Sequence, residues 1–411
     1  MSSRRTFLKT LTGTLAGAGS GALWQTRAWS LEPLLGPETL PTGALESAVL
    51  ESLPGKQALI KKTYRPPNFE TPLADLNEFY TPNARFFVRY HLAAIPEVDL
   101  PRWKLRIGGD SVGTPVEFTL AELRQNFETV ELPALCLCAG NRRGLFQPHV
   151  PGIQWGHGAM GNALWKGIRL RDVLGKANLK KDALEVTFDG ADTGVLQKTP
   201  DFVKSLPLSK ALDEHTLIAF AMNGEDLPHW NGFPARLVVP GWAATYWVKH
   251  LTGINVVSSP LESFWMKTAY RLPKGAFAVD GRFHSQETDT SSPVTELPVN
   301  CLIVSPHDTQ RFEPDQPVEV NGMAWDGGHG IERVEVSTDG GQNWRAAALD
   351  KDHGPFAWRV WRYLFKPPHG GPSTVMVRAT NRIGQQQPLQ PIANPAGYHH
   401  SAVQMITVHM A

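Results

Sequence analysis

The sequence predicts an α+β fold in which a mixed, β-rich domain is followed by an immunoglobulin-like β-sandwich. The chain has 13 Trp, 18 Phe, 33 Pro and 37 Gly, a composition that favours sheets and long connecting loops over helical bundles. Short apolar runs alternate with turn residues, without the strand–helix–strand rhythm of a parallel sheet. A length of 411 residues exceeds one ordinary core and indicates about two to three domains.

The N-terminus predicts export. The stretch SRRTFLK at residues 3–9 closely resembles a twin-arginine signal. The Gly-, Ala- and Thr-rich stretch that follows is too short and too polar to span a bilayer stably. Residues 1–30 are therefore interpreted as a removable signal, cleaved between about residues 25 and 32. The expected location is the periplasm, and because this route carries folded proteins, a cofactor inserted before export is expected.

Composition and periodicity divide the rest of the chain into three segments. Residues 31–75 are rich in proline and are interpreted as an extended arm over the surface. Residues 76–290 form the main domain, and a stretch without apolar periodicity at 287–300 leads out of it. Residues 291–411 contain strands at sandwich-like intervals around the turn DGGQNW. Short helices are predicted in the main domain at residues 119–127, 168–174 and 208–213.

Charge and cysteine content exclude several classes of protein. With 42% hydrophobic residues, 19% charged residues and a formal charge of +1, the chain is typical of a folded globular protein. This balance gives no argument for a nucleic-acid partner. Three cysteines are too few for a disulfide framework, and the absence of Cys-x-x-Cys-His disfavours a covalently attached c-type haem.

Two of the cysteines lie one residue apart at the end of a predicted strand, residues 130–138. Pro133 interrupts the apolar run and is tolerated in an edge or bulged strand. Because side chains alternate between the faces of a strand, Cys136 and Cys138 point the same way. An Ala-Gly-Asn turn and two arginines follow, so the thiol of Cys138 is expected to face a cleft whose positive charge favours the thiolate.

Several chemistries are compatible with this pair. A closed structural zinc site needs four Cys or His ligands, and no second pair accompanies this one. A disulfide between residues i and i+2 is strained. Burial in a core is the ordinary environment of a strand cysteine, and this is our interpretation of Cys136 and Cys301. The thiolate of Cys138 is a suitable ligand for a soft metal, although the spacing alone does not name the metal.

The stretch CAGNRR at residues 138–143 resembles the molybdenum-ligating motif of the sulfite oxidase family. The resemblance extends from about residue 78 to the C-terminus. FYTPNARFFVRYH is similar to the family segment that contains Phe-x-Arg-x-His, and NGFPARLVVPG followed by WVKHLTGI is similar to the segment that wraps the pterin. VEVSTDGGQNW resembles the C-terminal dimerisation domain. The resemblance implies a sulfite-oxidase-type molybdopterin domain in front of the sandwich.

The resemblance implies a role for each matching residue. Cys138 would be the protein ligand to molybdenum in a molybdopterin cofactor. Arg89 and Arg143 would line the anion pocket, with Trp155 and Tyr270 beside the reactive oxygen of the metal. Read without the family, Arg89 indicates only a solvated sheet face. The residues implied to hold the pterin and its phosphate are His91, Asp192, Asn231, Arg236 and Lys249.

Three positions depart from the family pattern. Asn231 stands where many members have His before Gly-Phe-Pro; its amide can hydrogen-bond the pterin but cannot carry charge. Ala269 stands where Asp is common before the active-site tyrosine. Ala396 stands where vertebrate members carry a third pocket arginine, so the pocket is expected to be less positive or to depend on His399 or His400.

The function implied is that of a periplasmic sulfite dehydrogenase, which oxidises sulfite to sulfate and passes electrons singly to an external c-type cytochrome. The chain has no haem motif, and about 45 residues between the signal and the first motif are too few for a cytochrome module. A homodimer, or a heterodimer with a cytochrome subunit, is expected, without nucleic acid or a stable membrane anchor. Two alternatives stay open: a molybdoenzyme of the same fold with another oxo-transfer substrate, such as a sulfoxide, and a non-catalytic periplasmic binding protein.

Overall fold

A computed structural model describes residues 49–277, 283–313, 316–367 and 371–410. The predicted signal and the first part of the predicted arm lie outside the described residues, so both stay predictions. Within the described ranges, no helix combines the length and the apolar character needed to cross a membrane. Strands dominate these ranges and the helices are short, as the predicted α+β, β-rich fold requires.

The second half of the predicted arm folds into a sheet. Its strands are β1 (Leu50–Ser52), β2 (Ala58–Thr63), β3 (Asn68–Glu70) and β4 (Val88–Arg89), which lies after the arm. They pair antiparallel in sequence order around a small buried cluster that includes Phe69 and Tyr90. Asn68 of β3 is the register partner of Arg89 of β4. This N-terminal sheet therefore borders the predicted site instead of running freely over the surface.

The main domain is built on two larger sheets. Its strands are β5 (Leu105–Gly108), β6 (Val116–Phe118), β7 (Thr129–Leu137), β8 (Met160–Arg169), β9 (Glu185–Gly190), β10 (Lys204–Pro207), β11 (Leu217–Met222), β12 (Glu225–Asp226), β13 (Arg236–Val238), β14 (Leu251–Val257), β15 (Arg271–Pro273) and β16 (Ser291–Pro293). One sheet has the order β10-β9-β14-β5-β6 and the other β12-β11-β8-β7, with β13 also paired to β11. The β14–β5 pair is parallel and its neighbours are antiparallel, so this sheet is mixed.

Four short helices connect these strands, three of them inside the predicted ranges. They are α1 (Leu120–Asn126), α2 (Leu170–Leu174), α3 (Leu208–Ala211) and α4 (Phe264–Lys267). Helix α1 begins with a capping box: the backbone N–H of Glu122 donates to Thr119 Oγ1 at 3.3 Å, and the N–H of Thr119 donates to the Glu122 carboxylate at 2.8 Å. These two bonds satisfy donors that a helix start otherwise leaves unpaired.

Strand β7 contains Cys136 and leads directly to Cys138. It is an edge strand, one of the two settings in which Pro133 was expected to be tolerated. Within the described sheet it pairs only with β8, and Pro133 lies opposite Leu164. On its other side, the N–H of Leu135 donates to the carbonyl of Phe356 at 2.9 Å. Cys136 packs in the core of the main domain, whereas Leu135 belongs to a separate cluster shared with the C-terminal part of the chain. The two faces of β7 therefore bury against different parts of the protein.

The C-terminal part is a two-sheet sandwich. Its strands are β17 (Asn300–Ser305), β18 (Arg311–Phe312), β19 (Val318–Trp325), β20 (Ile331–Ser337), β21 (Arg345–Ala346), β22 (Ala348–Leu349), β23 (Arg359–Phe365), β24 (Gly371–Asn381) and β25 (Gln404–Met410). The sheets have the orders β17-β19-β23-β22 and β18-β25-β24-β20-β21. Their inner faces meet in one apolar core, with Val320 and Trp361 from one sheet and Val334, Val377 and Val408 from the other. Strands lie where the alternating pattern predicted them.

Candidate active site

Most of the site residues predicted from the sequence line one recess in the main domain. Its wall includes side chains from β4, the end of β7, the start of β13 and the segment before β14. These elements are far apart in sequence, so the recess exists only in the folded chain. The predicted site residues that line it are Arg89, His91, Cys138, Asp192, Asn231, Arg236, Lys249 and Tyr270.

The loop after β7 holds Cys138 at the wall of the recess. The backbone N–H of Cys138 donates to Ala159 O at 2.9 Å, and its carbonyl accepts from the N–H of Asn141 at 2.9 Å. The Asn141 side chain closes the turn, because its Oδ1 accepts from the N–H of Ala159 at 3.0 Å. The three cysteines of the described chain form no disulfide. The thiol therefore stands at the end of a rigid strand, on a loop tied to the next strand.

The C-terminal sandwich also holds this loop. Arg142 donates to the Asn300 side chain at 3.1 Å and to Ala402 O at 3.0 Å. The N–H of His399 donates to Ala139 O at 2.8 Å. All three hydrogen bonds join the main domain to residues beyond 291, so the sandwich helps to shape the site.

Arg236 forms one cationic wall of the recess. Its guanidinium donates to Asn231 O at 3.0 Å and to Trp247 O at 3.1 Å, and it lies 5.0 Å from the centroid of the Trp165 ring. Its Nη2 is 3.9 Å from the sulfur of Cys136. Burial lowers the pKa of Arg236 and raises the pKa of Cys136. The buried Nε of Arg236 has no hydrogen-bond partner among the described residues.

Lys249 adds a second cationic group. Its Nζ donates to Arg89 O at 2.6 Å and lies 3.9 Å from the ring centroid of Tyr90. Burial lowers the pKa of Lys249 to about 7, opposed by the nearby carboxylate of Asp192. Burial also raises the pKa of Asp192, against the effect of Lys249. An anion bound here would restore the positive charge of Lys249, since a nearby negative charge favours the ammonium.

Arg89, His91 and Tyr270 form the other part of the recess. Arg89 Nη1 donates to Asn68 Oδ1 at 3.1 Å. The Tyr270 hydroxyl hydrogen-bonds His91 Nε2, and the His91 ring stacks on Phe202 at a centroid distance of 3.7 Å. Burial, together with the charges of Arg89 and two lysines, holds the pKa of His91 well below its usual range. His91 is therefore neutral at physiological pH, and its Nε2 either accepts a hydrogen bond from the tyrosine hydroxyl or donates one to it, depending on the tautomer.

Two predicted site residues do not line the recess. Arg143 is buried; its Nε donates to Ala396 O at 2.8 Å, its Nη1 donates to Ile153 O at 3.1 Å, and its guanidinium lies over the Tyr398 ring. Trp155 is fully buried in the core of the main domain, and its indole N–H has no partner among the described residues. The roles implied for both by the family resemblance stay predictions.

The two histidines suggested as substitutes for the missing arginine do not supply charge. His399 and His400 are buried, and their ring nitrogens have no hydrogen-bond partners among the described residues. Burial lowers the pKa of His399 to about 3 and holds that of His400 well below its usual range. Neither lines the recess. Of the two expectations for this position, the structure favours a less positive pocket.

The structure adds residues that the sequence did not point to. Lys56 comes from the N-terminal sheet region, and its Nζ donates to Asn231 Oδ1 at 2.5 Å. Asn68 of the same region orients Arg89. Tyr398 stacks on Tyr270. No local pattern marks these three residues, because each acts on a partner that is distant in sequence.

The donor set is compatible with a metal cofactor that has an anionic organic part. A thiol at Cys138 suits a soft metal, and the guanidinium and ammonium groups of Arg236 and Lys249 suit a phosphate. Arg236 Nε and the hydroxyl of Thr245 are buried at the recess without partners among the described residues. Buried polar groups are normally satisfied, so these two atoms indicate that a polar ligand belongs here.

Comparison with known families agrees with this chemistry. A model of the oxidoreductase molybdopterin binding domain matches residues 91–265. A model of the Mo-co oxidoreductase dimerisation domain matches residues 291–410. The first match includes Cys138 and most of the recess, and the second covers the sandwich.

Individual relatives extend these matches over most of the chain. Mitochondrial sulfite oxidase of Macaca fascicularis is 34% identical over 369 residues, which cover 86% of this chain but only 66% of that protein. Sulfite oxidase of Gallus gallus is 33% identical over 359 residues, covering 84% and 76%. The crystal structure of the sulfane dehydrogenase SoxCD from Paracoccus pantotrophus superposes with a TM-score of 0.72 at 25% identity, over 95% of this chain and 97% of that one. The chain belongs to the sulfite oxidase family of molybdopterin-binding oxidoreductases.

Proposed function

We propose that this protein oxidises sulfite to sulfate at a molybdenum–molybdopterin centre. One observation carries the proposal: a cysteine, an arginine and a tyrosine–histidine pair meet in one recess, at Cys138, Arg89, Tyr270 and His91. A thiolate ligand, a fixed cation for an oxyanion and a proton-holding pair are the groups that this reaction needs from the protein.

The cofactor would be held at two ends. Cys138 would ligate the metal, while Arg236, Lys249 and the Asn231 amide would bind the pterin and its phosphate, with Asp192 beside Lys249. When bound, the molybdenum cofactor supplies two-electron oxygen-atom transfer. The protein fixes its position and excludes water from the buried sulfur.

The substrate would be held by guanidinium groups. Sulfite is a small dianion, and a guanidinium keeps its charge and presents paired donors. Arg89 is oriented by Asn68, and Arg143 lies close enough to oppose the rise in the pKa of Tyr270 that burial causes. The Tyr270 hydroxyl, hydrogen-bonded to neutral His91, can hold or release a proton at the recess.

The proposal also includes the location of the protein, its assembly and its electron acceptor. The twin-arginine stretch at residues 3–9 supports a periplasmic location. The match to a dimerisation domain supports a homodimer, or a heterodimer with a cytochrome subunit. An external c-type cytochrome is proposed as the one-electron acceptor.

The test is a paired measurement on the wild type and Cys138→Ser, purified from a host that makes the cofactor. Molybdenum content and sulfite-dependent reduction of cytochrome c are measured on the same samples. The wild type should contain about one molybdenum per chain and turn over sulfite, and the serine variant should lose turnover. Cys301→Ser makes the same change at a buried thiol of the sandwich and should keep both properties. Wild-type protein without molybdenum would refute the proposal in favour of the non-catalytic binding protein.

A second enzymatic function is supported by the superposition with a sulfane dehydrogenase. A molybdoenzyme of this fold could oxidise another sulfur compound or reduce a sulfoxide. Wild-type protein that contains molybdenum but leaves sulfite unchanged would support this alternative. A sulfane substrate with cytochrome c, and a sulfoxide with a reduced dye, would then identify the reaction class.

A further inference from the structure

A turn in the C-terminal part of the chain, residues 394–398, lies next to the proposed substrate pocket. The Asn394 side chain closes this turn, because its Oδ1 accepts from the N–H of Tyr398 at 2.9 Å and its Nδ2 donates to Tyr398 O at 2.9 Å. The N–H of Gly397 donates to Asn394 O at 3.1 Å. Tyr398 is 9% exposed. The turn therefore presents the tyrosine in a fixed position.

The Tyr398 ring contacts two residues of the proposed substrate pocket. It stacks on the Tyr270 ring with the centroids 5.1 Å apart and the planes 15° from parallel. The guanidinium carbon of Arg143 lies 5.2 Å from the centroid of the Tyr398 ring. Offset stacking and a cation over an aromatic face are both attractive. One side chain of the sandwich thus contacts both the hydroxyl-bearing and the cationic residue.

The same turn also holds Arg143 through its backbone. Arg143 Nε donates to Ala396 O at 2.8 Å. The side chain at position 396 is a methyl group and supplies no charge to the pocket. The turn therefore supplies a backbone carbonyl and an aromatic face, and both restrain Arg143. It does not add a further arginine to the pocket.

We infer that Tyr398 is a positioning residue that sets the affinity of the pocket for its oxyanion by holding Arg143 and Tyr270 in place. The inference rests on the proposed function, because it assigns Arg143 and Tyr270 to that pocket. The inference goes beyond the proposed function because it places a determinant of substrate binding in the sandwich. Without the ring, Arg143 keeps its backbone partners at Nε and Nη1 but loses the aromatic face that contacts its guanidinium group.

The test compares Tyr398→Leu with Tyr398→Phe in the molybdenum-loaded protein. Loss of one cation–π contact and one stacking contact should raise the KM for sulfite about 3- to 10-fold. The Kd for sulfate, titrated by calorimetry at constant ionic strength, should rise by the same factor. Phenylalanine keeps the ring and should restore both constants. Tyr363→Leu, a change in the sandwich core away from the turn, is the matched control and should leave both constants unchanged.

The outcomes separate this inference from the proposed function. Wild-type protein that binds sulfate but leaves sulfite unchanged refutes the function, while the sulfate constants of the variants still decide the role of Tyr398. A folded leucine variant with wild-type KM and Kd overturns the inference, as does a phenylalanine variant as impaired as leucine. Wild-type protein that does not bind sulfate overturns it as well. If the leucine variant does not fold, Tyr398→Met replaces it, because methionine fills irregular space without an aromatic face.

Discussion

Replacing Lys56 by methionine tests how the N-terminal sheet prepares the cofactor site. The Lys56 ammonium donates to Asn83 O at 2.6 Å, to Phe86 O at 3.0 Å and to Asn231 Oδ1 at 2.5 Å. An ammonium has no acceptor, so it fixes the amide of Asn231 with the oxygen towards Lys56. The amide nitrogen is then left to donate to Phe87 O, at 3.3 Å, or to a ligand in the recess. In this protein, the amine of Lys56 hydrogen-bonds Asn231, the residue that replaces the histidine common in the family.

The size of the effect on stability follows from burial. Burial lowers the pKa of Lys56 from 10.5 to about 7, which corresponds to about 5 kcal/mol against folding while the group is charged. This cost is fully present below pH 7 and disappears as the pH rises to 10.5, because the unfolded chain then binds more protons than the folded one. Wild-type stability should therefore gain up to about 1.4 kcal/mol per pH unit from this lysine over that window. Methionine has no such dependence.

The assay is urea denaturation at pH 7, 8 and 9, followed by tryptophan fluorescence, together with the pterin and molybdenum content of each preparation. The stability of the wild type relative to Lys56→Met should therefore rise with pH between 7 and 9, by up to about 1.4 kcal/mol per pH unit. The cofactor content of Lys56→Met should fall, because the Asn231 amide is free to rotate. Lys61→Met, at a partly exposed lysine of β2 that pairs with Glu51, should show neither effect. A stability difference independent of pH, or full cofactor content, would refute the reasoning.

Two further substitutions test the oxyanion side of the site. Asn68→Ala removes the acceptor of Arg89 Nη1 and of the Tyr90 N–H. The free energy of unfolding, measured by urea denaturation, should fall by about 2 to 4 kcal/mol, and the KM for sulfite should rise. An unchanged KM would show that Arg89 does not need Asn68 to hold its position. Gly140→Ala places a Cβ 2.6 Å from Arg143 Nη1, so the guanidinium must move. This displacement should lower kcat/KM for sulfite about tenfold or more, while the molybdenum content of the protein stays normal. Loss of the metal in this variant would instead indicate a disturbed Cys138 loop.

Elements with a strong local pattern were predictable from the sequence. Helix α1 begins where Thr119 and Glu122 form the capping box, and both residues are visible in the sequence. Strand β7 is an edge strand, one of the two settings that tolerate Pro133, and Cys136 and Cys138 line the same recess, in agreement with the predicted alternation. The sandwich strands lie where their alternation predicted them, although partners such as β19 and β23, or β18 and β25, are distant in sequence.

The N-terminal sheet was not predictable in the same way. Its strands are three to six residues long before β4, and β2 carries two lysines and a threonine rather than an alternating apolar pattern. Its important contacts join Lys56 to Asn231 across 175 positions and Asn68 to Arg89 across 21. Local periodicity cannot report such contacts, since both partners are polar and neither Lys56 nor Asn68 lies in a recognisable motif.

The candidate site shows a similar division. Cys138, Arg89 and Lys249 meet in the recess as the family resemblance implied. Arg143 and Trp155 are buried and do not line the recess: Arg143 donates to the carbonyl of Ala396 in the sandwich, and Trp155 packs in the core of the main domain. The depth of a side chain depends on packing between domains, which no single segment encodes.

The contacts between the Cys138 loop and the sandwich have a consequence for biosynthesis. Arg142 needs Ala402 as an acceptor, and Ala139 needs the N–H of His399. Domains fold as they emerge from the ribosome, the N-terminal ones first, but Ala402 lies 260 positions after Arg142, and His399 lies similarly far after Ala139. A nascent chain therefore carries the thiol long before the loop around it is complete. Insertion of the cofactor into a finished pocket consequently requires that this part of the sandwich has been synthesised and folded.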